Sequence, residues 1–439
     1  MITLRKPNLV ELTLSGMGIV LAWVCSNVYW GGENYRTVLQ SDAKGYYAYL
    51  PAVFIYHDLQ FGFFEQMDRG KYYNPDLLYE YRILFNGVSV NKYYCGMAVA
   101  QAPFFLAAHT ITKATGGDAD GYSRLYVVFL HIGAIVHALL GLWVLDKLLR
   151  AYGVPERARA VTLIAMAFGT HLFYYILVAP GMSHVWSFLY CTLFLYLSHG
   201  YFRAPSGGRL VVLGVLLGFI MLIRPINGLI LASWPFLAGS TSALWNGLRQ
   251  AFSHWRHALV ASVLCALVVS IQLVLYKLGT GSFFIYSYEE EWFNWLDPHM
   301  LDILFSYKKG LFLYTPILLL ATVGGLWVLA GRNPFEAITW AAFFLLITYF
   351  FSAWWSWWYG GSFSGRPYVE YLALFGILLG VGLGAIRKTA PRIAAHAVLF
   401  LLILLCQAQT MQTRYFQIHY EEMTKERYWQ VFLRLDQLS

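Results

Sequence analysis

Apolar residues run in long blocks along this chain, and polar residues gather in the gaps between them. A helix of about 20 apolar residues is long enough to cross a bilayer. On that measure the pattern predicts spans at roughly 8–29, 122–146, 158–178, 183–200, 208–223, 226–239, 258–277, 310–330, 335–353, 368–386 and 392–409. The pair around Arg224-Pro225 is short, so 208–239 also reads as two tilted or broken spans. The fold class that follows is an all-α polytopic membrane protein with about eleven transmembrane helices.

The segment from Gly96 to Thr112 sets the orientation. Counted as a span, it puts the loop carrying Lys147, Arg150, Arg157 and Arg159 outside. Counted as an interfacial or re-entrant helix, it puts that loop inside, together with Arg203, Arg209, Arg249, Arg256, Arg332, Arg387, Lys388 and Arg392. The excess of Lys and Arg in cytoplasmic loops favours the second choice. Arg5 and Lys6 precede the first block, which is too long for a removed signal peptide and lacks a small-residue cleavage site. The N-terminus is then cytoplasmic and the C-terminus outside. A transmembrane module spans 1–409, with a first outer loop at about 30–121 and a second at about 278–309. A Trp-rich turn lies at 354–367, and a short periplasmic tail occupies 410–439. Tyr46 to Tyr56 and Ala98 to His109 read as helices along the headgroups, apolar faces down. Tyr420 to Trp429 reads as a short amphipathic helix.

Composition narrows the class. The 439 residues are 59% hydrophobic and only 12% charged, where a soluble chain has about 25%. Aromatics reach 18%, including 32 Tyr and 16 Trp, more than membrane-interface belts require; the surplus is available to line a pocket. The net charge of +8 is spread over inner loops and headgroup positions, with no face for nucleic acid. Five cysteines show neither paired nor metal-ligand spacing. No Walker loop, nucleotide-binding glycine fingerprint, HExxH or GxSxG is in context, so a soluble nucleotide donor has no visible dock.

Chemistry concentrates in the outer segments. Ser41-Asp42-Ala43-Lys44-Gly45-Tyr46-Tyr47 places one acid among tyrosines just past the first span. The plainer reading of Asp42 is a helix N-cap. Partial desolvation would raise its pKa toward the range of a general base for a hydroxyl or amine. Lys92, ahead of the helix bearing Gln101 and Pro103, is a point charge for a lipid phosphate or for ordinary headgroups. Arg224 sits between two apolar blocks, where arginine is costly and faces a partner, a cavity or the headgroups. His184 stands at an outer helix start. The second loop offers Tyr288, Glu289, Glu290, Glu291 and Trp292, then Tyr307, Lys308 and Lys309; carboxylates and aromatic faces together serve a pyranose. The turn Trp354-Trp355-Ser356-Trp357-Trp358-Tyr359-Gly360-Gly361-Ser362-Phe363-Ser364-Gly365-Arg366 exceeds a belt: glycines let backbone approach a ligand, and arginine grips phosphate with a planar fork.

Together these pieces resemble the GT-C superfamily of membrane glycosyltransferases that use polyprenyl-phosphate sugars, especially the bacterial aminoarabinose transferases and the protein O-mannosyltransferases. The resemblance covers residues 1 to about 410 and rests on Asp42, on Lys92 with Pro103, on the Arg124-to-Arg159 helix and loop, and on Gly365-Arg366. It implies Asp42 as the catalytic acid that activates the acceptor and Lys92, Arg366 and, more weakly, Arg224 as phosphate ligands. Tyr46, Tyr47, His184, Tyr288, Glu290, Tyr307 and Trp358 are the residues left to line the sugar and acceptor pocket. The chain departs from the family where Asp-Glu becomes Asp42-Ala43 and Lys-Pro-Pro becomes Lys92-Tyr93-Tyr94. The partners implied are a polyprenyl-phosphate sugar (undecaprenyl), a lipid, glycan or protein acceptor, and membrane lipids, at the periplasmic side of a bacterial inner membrane. A divalent cation, Mg or Mn, is compatible with carboxylates and phosphate, but no ligand set is legible. The rival classes are a glycan ligase or polymerase using a lipid diphosphate, a lipid-linked sugar flippase, and a scaffold subunit. A flippase would carry polar residues along both halves of its spans, whereas here they crowd at one face.

Overall fold

The computed structural model describes residues 6–437; Arg5, counted above among the charges ahead of the first span, lies outside the described residues. Helix α1 (Leu9–Tyr29) opens on a reciprocal cap in which Asn8 and Glu11 satisfy each other's backbone N–H. The first loop is a folded unit. It contains α2 (Asp42–Pro51), which continues through a wider turn to Tyr56, and a hairpin of β1 (Arg82–Phe85) and β2 (Val88–Asn91). Helix α3 (Gly96–Ala114) follows. The hairpin was not anticipated, although its signal is present: Asn86 and Gly87 both have positive φ, at 52° and 80°, as the tight turn that suits strand twist requires.

The membrane part comprises α4 (Arg124–Ala151), α5 (Glu156–Phe168), α6 (Ser183–Arg203), α7 (Gly207–Ile223), α8 (Thr241–Ser253) and α9 (Trp255–Thr280). It continues through α10 (Pro316–Arg332), α11 (Pro334–Ser352), α12 (Leu372–Ala385) and α13 (Thr389–Arg414). Among the described residues, six apolar stretches are long enough to cross a membrane: Leu9–Tyr29, Arg124–Ala151, Trp255–Thr280, Pro334–Ser352, Arg366–Ala385 and Thr389–Arg414. The remaining apolar segments are shorter. The block at 158–178 is two helices, α5 and Leu172–Leu177, parted at Gly169, where a Cβ would sit 2.3 Å from Ile317. The block at 226–239 is a 3₁₀ coil, Pro225–Ser233, running into the short helix Trp234–Ala238. The 310–330 block breaks at Thr315 before Pro316. Proline has no N–H for the helix ladder and disfavours helical backbone before it, so two of these breaks fall at Pro225 and Pro316.

Packing divides the bundle. Helix α7 lies so close to α9 that a Cβ on Gly214 or Gly218 would meet a backbone carbonyl at 2.5 and 2.7 Å, the small-residue contact by which helices associate in lipid. Long stretches of α9 and α13 are only 11% buried, an apolar surface for lipid. Two expectations are sharpened. In the segment from Tyr46 to Tyr56, every residue from Tyr46 to Ala52 is buried in protein, and the exposed apolar face is confined to Val53 and Phe54. The tail helix is Lys425–Val431 rather than Tyr420–Trp429, and it folds back, with Gln409 donating to Tyr428 at 2.7 Å.

Candidate functional site

The site is assembled around the N-terminus of α2. Ser41 precedes it at φ 52°, ψ −139°, a strained backbone for a non-glycine residue and of the kind that clusters at functional sites. Asp42 receives the Tyr93 hydroxyl at 2.8 Å on one oxygen and the Arg366 guanidinium at 2.8 Å on the other. Tyr93, bonded in turn to Tyr79 at 2.5 Å, crosses α2 at Gly45, where any Cβ would lie 2.2 Å from the Tyr93 ring. The frame behind is polar and satisfied. Asn91 donates to the Gly45 carbonyl at 2.8 Å, Tyr49 to the Tyr93 carbonyl at 3.0 Å, and Gln272 of α9 to Tyr49 at 3.1 Å. Lys44 ties the other side of α2 to buried Asp68 at 2.7 Å.

This setting reverses the sign expected for Asp42. Burial alone raises its pKa, but Arg366, the Tyr93 hydrogen bond, Lys92 and Arg224 together hold it below the ordinary carboxylate value. Asp42 is therefore a firmly ionised hydrogen-bond acceptor in this state, not a carboxyl poised near neutrality.

Two further ion pairs flank it. Lys92 meets Glu291 of the second loop at 2.5 Å and lies 5.4 Å from the Tyr288 ring centroid. This pair stands at a groove of about 890 Å³ whose walls include Tyr288, Glu289, Glu290, Trp292 and Trp355. On the other flank, one oxygen of fully buried Glu370 accepts from Arg224 at 2.7 Å and from His184 Nδ1 at 3.0 Å. Each candidate phosphate ligand thus already holds a carboxylate: Arg366 has Asp42, Lys92 has Glu291 and Arg224 has Glu370.

The other sequence candidates divide. Tyr46 packs on Tyr93 with ring centroids 4.7 Å apart, and Tyr288 and Glu290 line the groove. Tyr47 faces elsewhere: its hydroxyl is bound to the Gly121 carbonyl at 2.5 Å and its ring packs on Phe105 and Tyr122. Tyr307 is a docking point for the tail, packing on Tyr428 and accepting from Trp429 at 3.3 Å. Trp358 carries Lys308 over its ring at 3.6 Å. Tyr93, Tyr79 and Glu370 were not singled out from the sequence, and Glu291 was read only as one of three loop glutamates suited to a sugar. Glu370 had a signal, an acid beside a long apolar block, where an ionisable side chain is costly and marks a partner or a pathway. Among the described residues no three His, Cys, Asp or Glu side chains are grouped to hold a metal ion, so no ligand set is assigned to a divalent cation.

No protein-family model and no curated protein matches this sequence. Solved structures do. The fold is similar to that of ArnT from Cupriavidus metallidurans bound to undecaprenyl phosphate, with a TM-score of 0.54 at 15% identity over 91% of this chain and 64% of ArnT. The apo state of the same protein aligns at 0.50 and 16% identity, over 91% of this chain and 65% of ArnT. The chain spans just under two thirds of the length of these neighbours. At such identity the likeness speaks for architecture alone: the chain is a multi-pass membrane protein with a fold similar to that of ArnT.

Proposed function

We propose that the protein is a glycosyltransferase that moves a sugar from a polyprenyl phosphate, of the undecaprenyl class, to an acceptor at the periplasmic face of a bacterial inner membrane. The observation that carries this reading is the Asp42–Arg366 pair at 2.8 Å, with Lys92 and Arg224 acting on the same carboxylate. One ionised acid surrounded by a surplus of cations fits a nucleophile-orienting carboxylate beside an anionic leaving group. The ArnT fold, crystallised with undecaprenyl phosphate, adds support at the level of architecture.

In this reading the acceptor's hydroxyl or amine hydrogen-bonds to Asp42 and attacks the anomeric carbon. The new bond to carbon forms as the carbon–oxygen bond to phosphate breaks; the nucleophile's proton goes to the carboxylate, and the leaving pair stays on phosphate. Arg366 reaches Asp42 through one nitrogen while its buried Nε–H has no partner, so the same fork can serve a phosphate. Drawing Arg366 toward phosphate weakens its hold on Asp42 and raises that carboxylate's basicity when the donor is seated. Stabilising the charge on the leaving phosphate is electrostatic work by fixed cations. Tyr288, Glu290 and Trp292 along the groove then face the sugar or acceptor, and residues 1–409 act as the catalytic module.

The test is mass spectrometry of lipid-linked sugars in a deletion strain complemented with wild type or Asp42→Asn. A monosaccharide-phosphate lipid that accumulates in the deletion and with Asp42→Asn, and clears with wild type, supports the reading and names the sugar. Clearance by Asp42→Asn removes Asp42 from the reaction. No accumulation in any strain removes the transferase.

A further inference from the structure

Helix α8 and the start of α9 carry charge and aromatic surface that the reaction above does not use. The helix begins at Ser240, whose hydroxyl accepts from the Ala243 N–H at 3.1 Å. Its packed face is narrow: a Cβ on Gly247 would lie 2.6 Å from the Phe202 ring, and the Tyr201 hydroxyl donates to the Gly247 carbonyl at 2.7 Å. Those contacts fix which way the helix faces. Trp245, Arg249 and Phe252 follow at i, i+4 and i+7 along the other side. Trp245 is 66% and Phe252 78% exposed, with exposed Arg249 between them. Trp255 and Arg256 come directly after the bend at His254, and both are exposed.

Position in the bundle says what meets this face. A Cβ on Gly207, the first residue of α7, would lie 2.4 Å from the His257 ring, so the α8–α9 junction sits beside that end of α7. Arg224 follows the other end. The 17 residues of α7 rise about 25 Å, most of a hydrocarbon core of about 30 Å. Helix α8 therefore lies at the membrane surface opposite the Asp42 site. From Trp255 the exposed surface continues in one-turn steps through Leu259, Val263 and Leu267 of α9, a helix largely left to lipid. A face continuous with lipid-facing surface is met by the bilayer rather than by a soluble protein.

Charge selects among the bilayer's lipids. The sequence has no Asp or Glu between Glu156 and Glu289. Arg209, at the same end of α7, spends its guanidinium on the Gly200 and Ala204 carbonyls at 2.7 and 2.6 Å. Arg249 and Arg256 make no ion pair among the described residues. Aromatic rings settle at headgroup level, and an unspent guanidinium beside them forks onto phosphate. We infer that α8 and the Trp255-Arg256 corner form a seat for anionic phospholipid on the leaflet opposite the site. Trp245, Phe252 and Trp255 enter the acyl boundary, and Arg249 and Arg256 hold headgroup phosphates. A zwitterionic lipid offers the same phosphate but cancels its charge, so the seat prefers an anionic one. The inference is independent of the transferase reading.

The experiment reconstitutes the purified full chain into vesicles of equal parts phosphatidylcholine and phosphatidylglycerol, with bromine on the acyl chains of one lipid or of the other. Bromine quenches tryptophan on contact, and the difference between wild type and Trp245→Phe isolates Trp245 among the 16 tryptophans. Each arginine near an anionic surface is worth about fivefold in lipid occupancy. Brominated phosphatidylglycerol should therefore quench the Trp245 signal several-fold more than brominated phosphatidylcholine. Arg249→Gln combined with Arg256→Gln should bring the two lipids to parity and leave the summed quenching in place. High salt should narrow the ratio in wild type. Equal quenching by the two lipids in wild type, or an unchanged ratio in the arginine variant, overturns the seat. Quenching by neither lipid also overturns it and gives the face to a protein partner.

Discussion

The chain contains two partly shielded Asp–Arg pairs of nearly the same geometry and opposite character. Asp146 and Arg159 meet at 2.6 Å with side chains 7% and 10% exposed; Asp42 and Arg366 meet at 2.8 Å at 15% and 11%. The first pair joins neighbouring helices α4 and α5 and is satisfied by groups close by in the chain. Arg159 also donates to the Val154 carbonyl at 3.0 Å, and Arg150 stands 3.8 Å from the second Asp146 oxygen. The second pair joins opposite ends of the chain and is open. Arg366 keeps an unpartnered Nε–H, Lys92 and Arg224 act on the same acid, and the backbone is strained at Ser41 and Ser364. A staple spends its donors internally, whereas a site that awaits a ligand leaves some unspent. Distance alone does not separate the two; the count of unsatisfied groups around them does.

Substitutions should break this contrast in a defined order. Asp42→Asn should slow transfer by ~10²–10⁴-fold with a smaller loss of melting temperature than Arg159→Ala, read by clearance of the lipid-linked sugar beside a thermal melt. Arg159→Ala should do the reverse: it leaves Asp146 buried without its partner and costs ~3–5 kcal/mol of stability. Transfer per folded molecule should then stay near wild type, and a large loss per folded molecule would show that the two pairs are not different in kind. Arg366→Lys keeps the charge but loses the fork; the missing charge-assisted bond, ~1.5–3 kcal/mol, should lower transfer by about tenfold or more. Tyr93→Phe removes the hydroxyl on Asp42 and should cost about 1 kcal/mol. It should also move the acid limb of the pH profile upward, because that hydrogen bond helps hold the Asp42 pKa down.

The pH sign follows from the same environment. Asp42 is depressed below its ordinary value when folded, so its ionised form stabilises the folded chain at pH above its unfolded pKa of about 3.9. That contribution disappears as pH falls through the folded value. The stability difference between wild type and Asp42→Asn should therefore be flat from pH 7 to 5 and shrink only below about pH 4. Denaturation followed across that range measures it, and a difference that begins to fade near pH 6 would mean that Arg366 does not hold the acid.

The sequence by itself determined the class of this protein and where its apolar blocks lie, because hydropathy is a local property and span length is set by the bilayer's thickness; the breaks inside three of those blocks came from the fold. It also pointed to Arg224 as a charge costly among apolar blocks, and to Asp42, Lys92 and Arg366 through their outer-loop settings and the family resemblance. Only the tertiary structure decided which acid each cation meets: Glu291 for Lys92, Glu370 for Arg224 and Asp42 for Arg366. Those partners lie on segments far apart in the chain, and no periodicity encodes their meeting. The same limit explains Tyr47 and Tyr307, which the sequence places beside candidate chemistry and the fold assigns to a Gly121 strut and a dock for the tail. It explains the pKa of Asp42 as well. Burial is legible from neighbouring apolar residues and argues for a raised value; the cations that outweigh it arrive from three other segments, and their sum is a property of the folded chain.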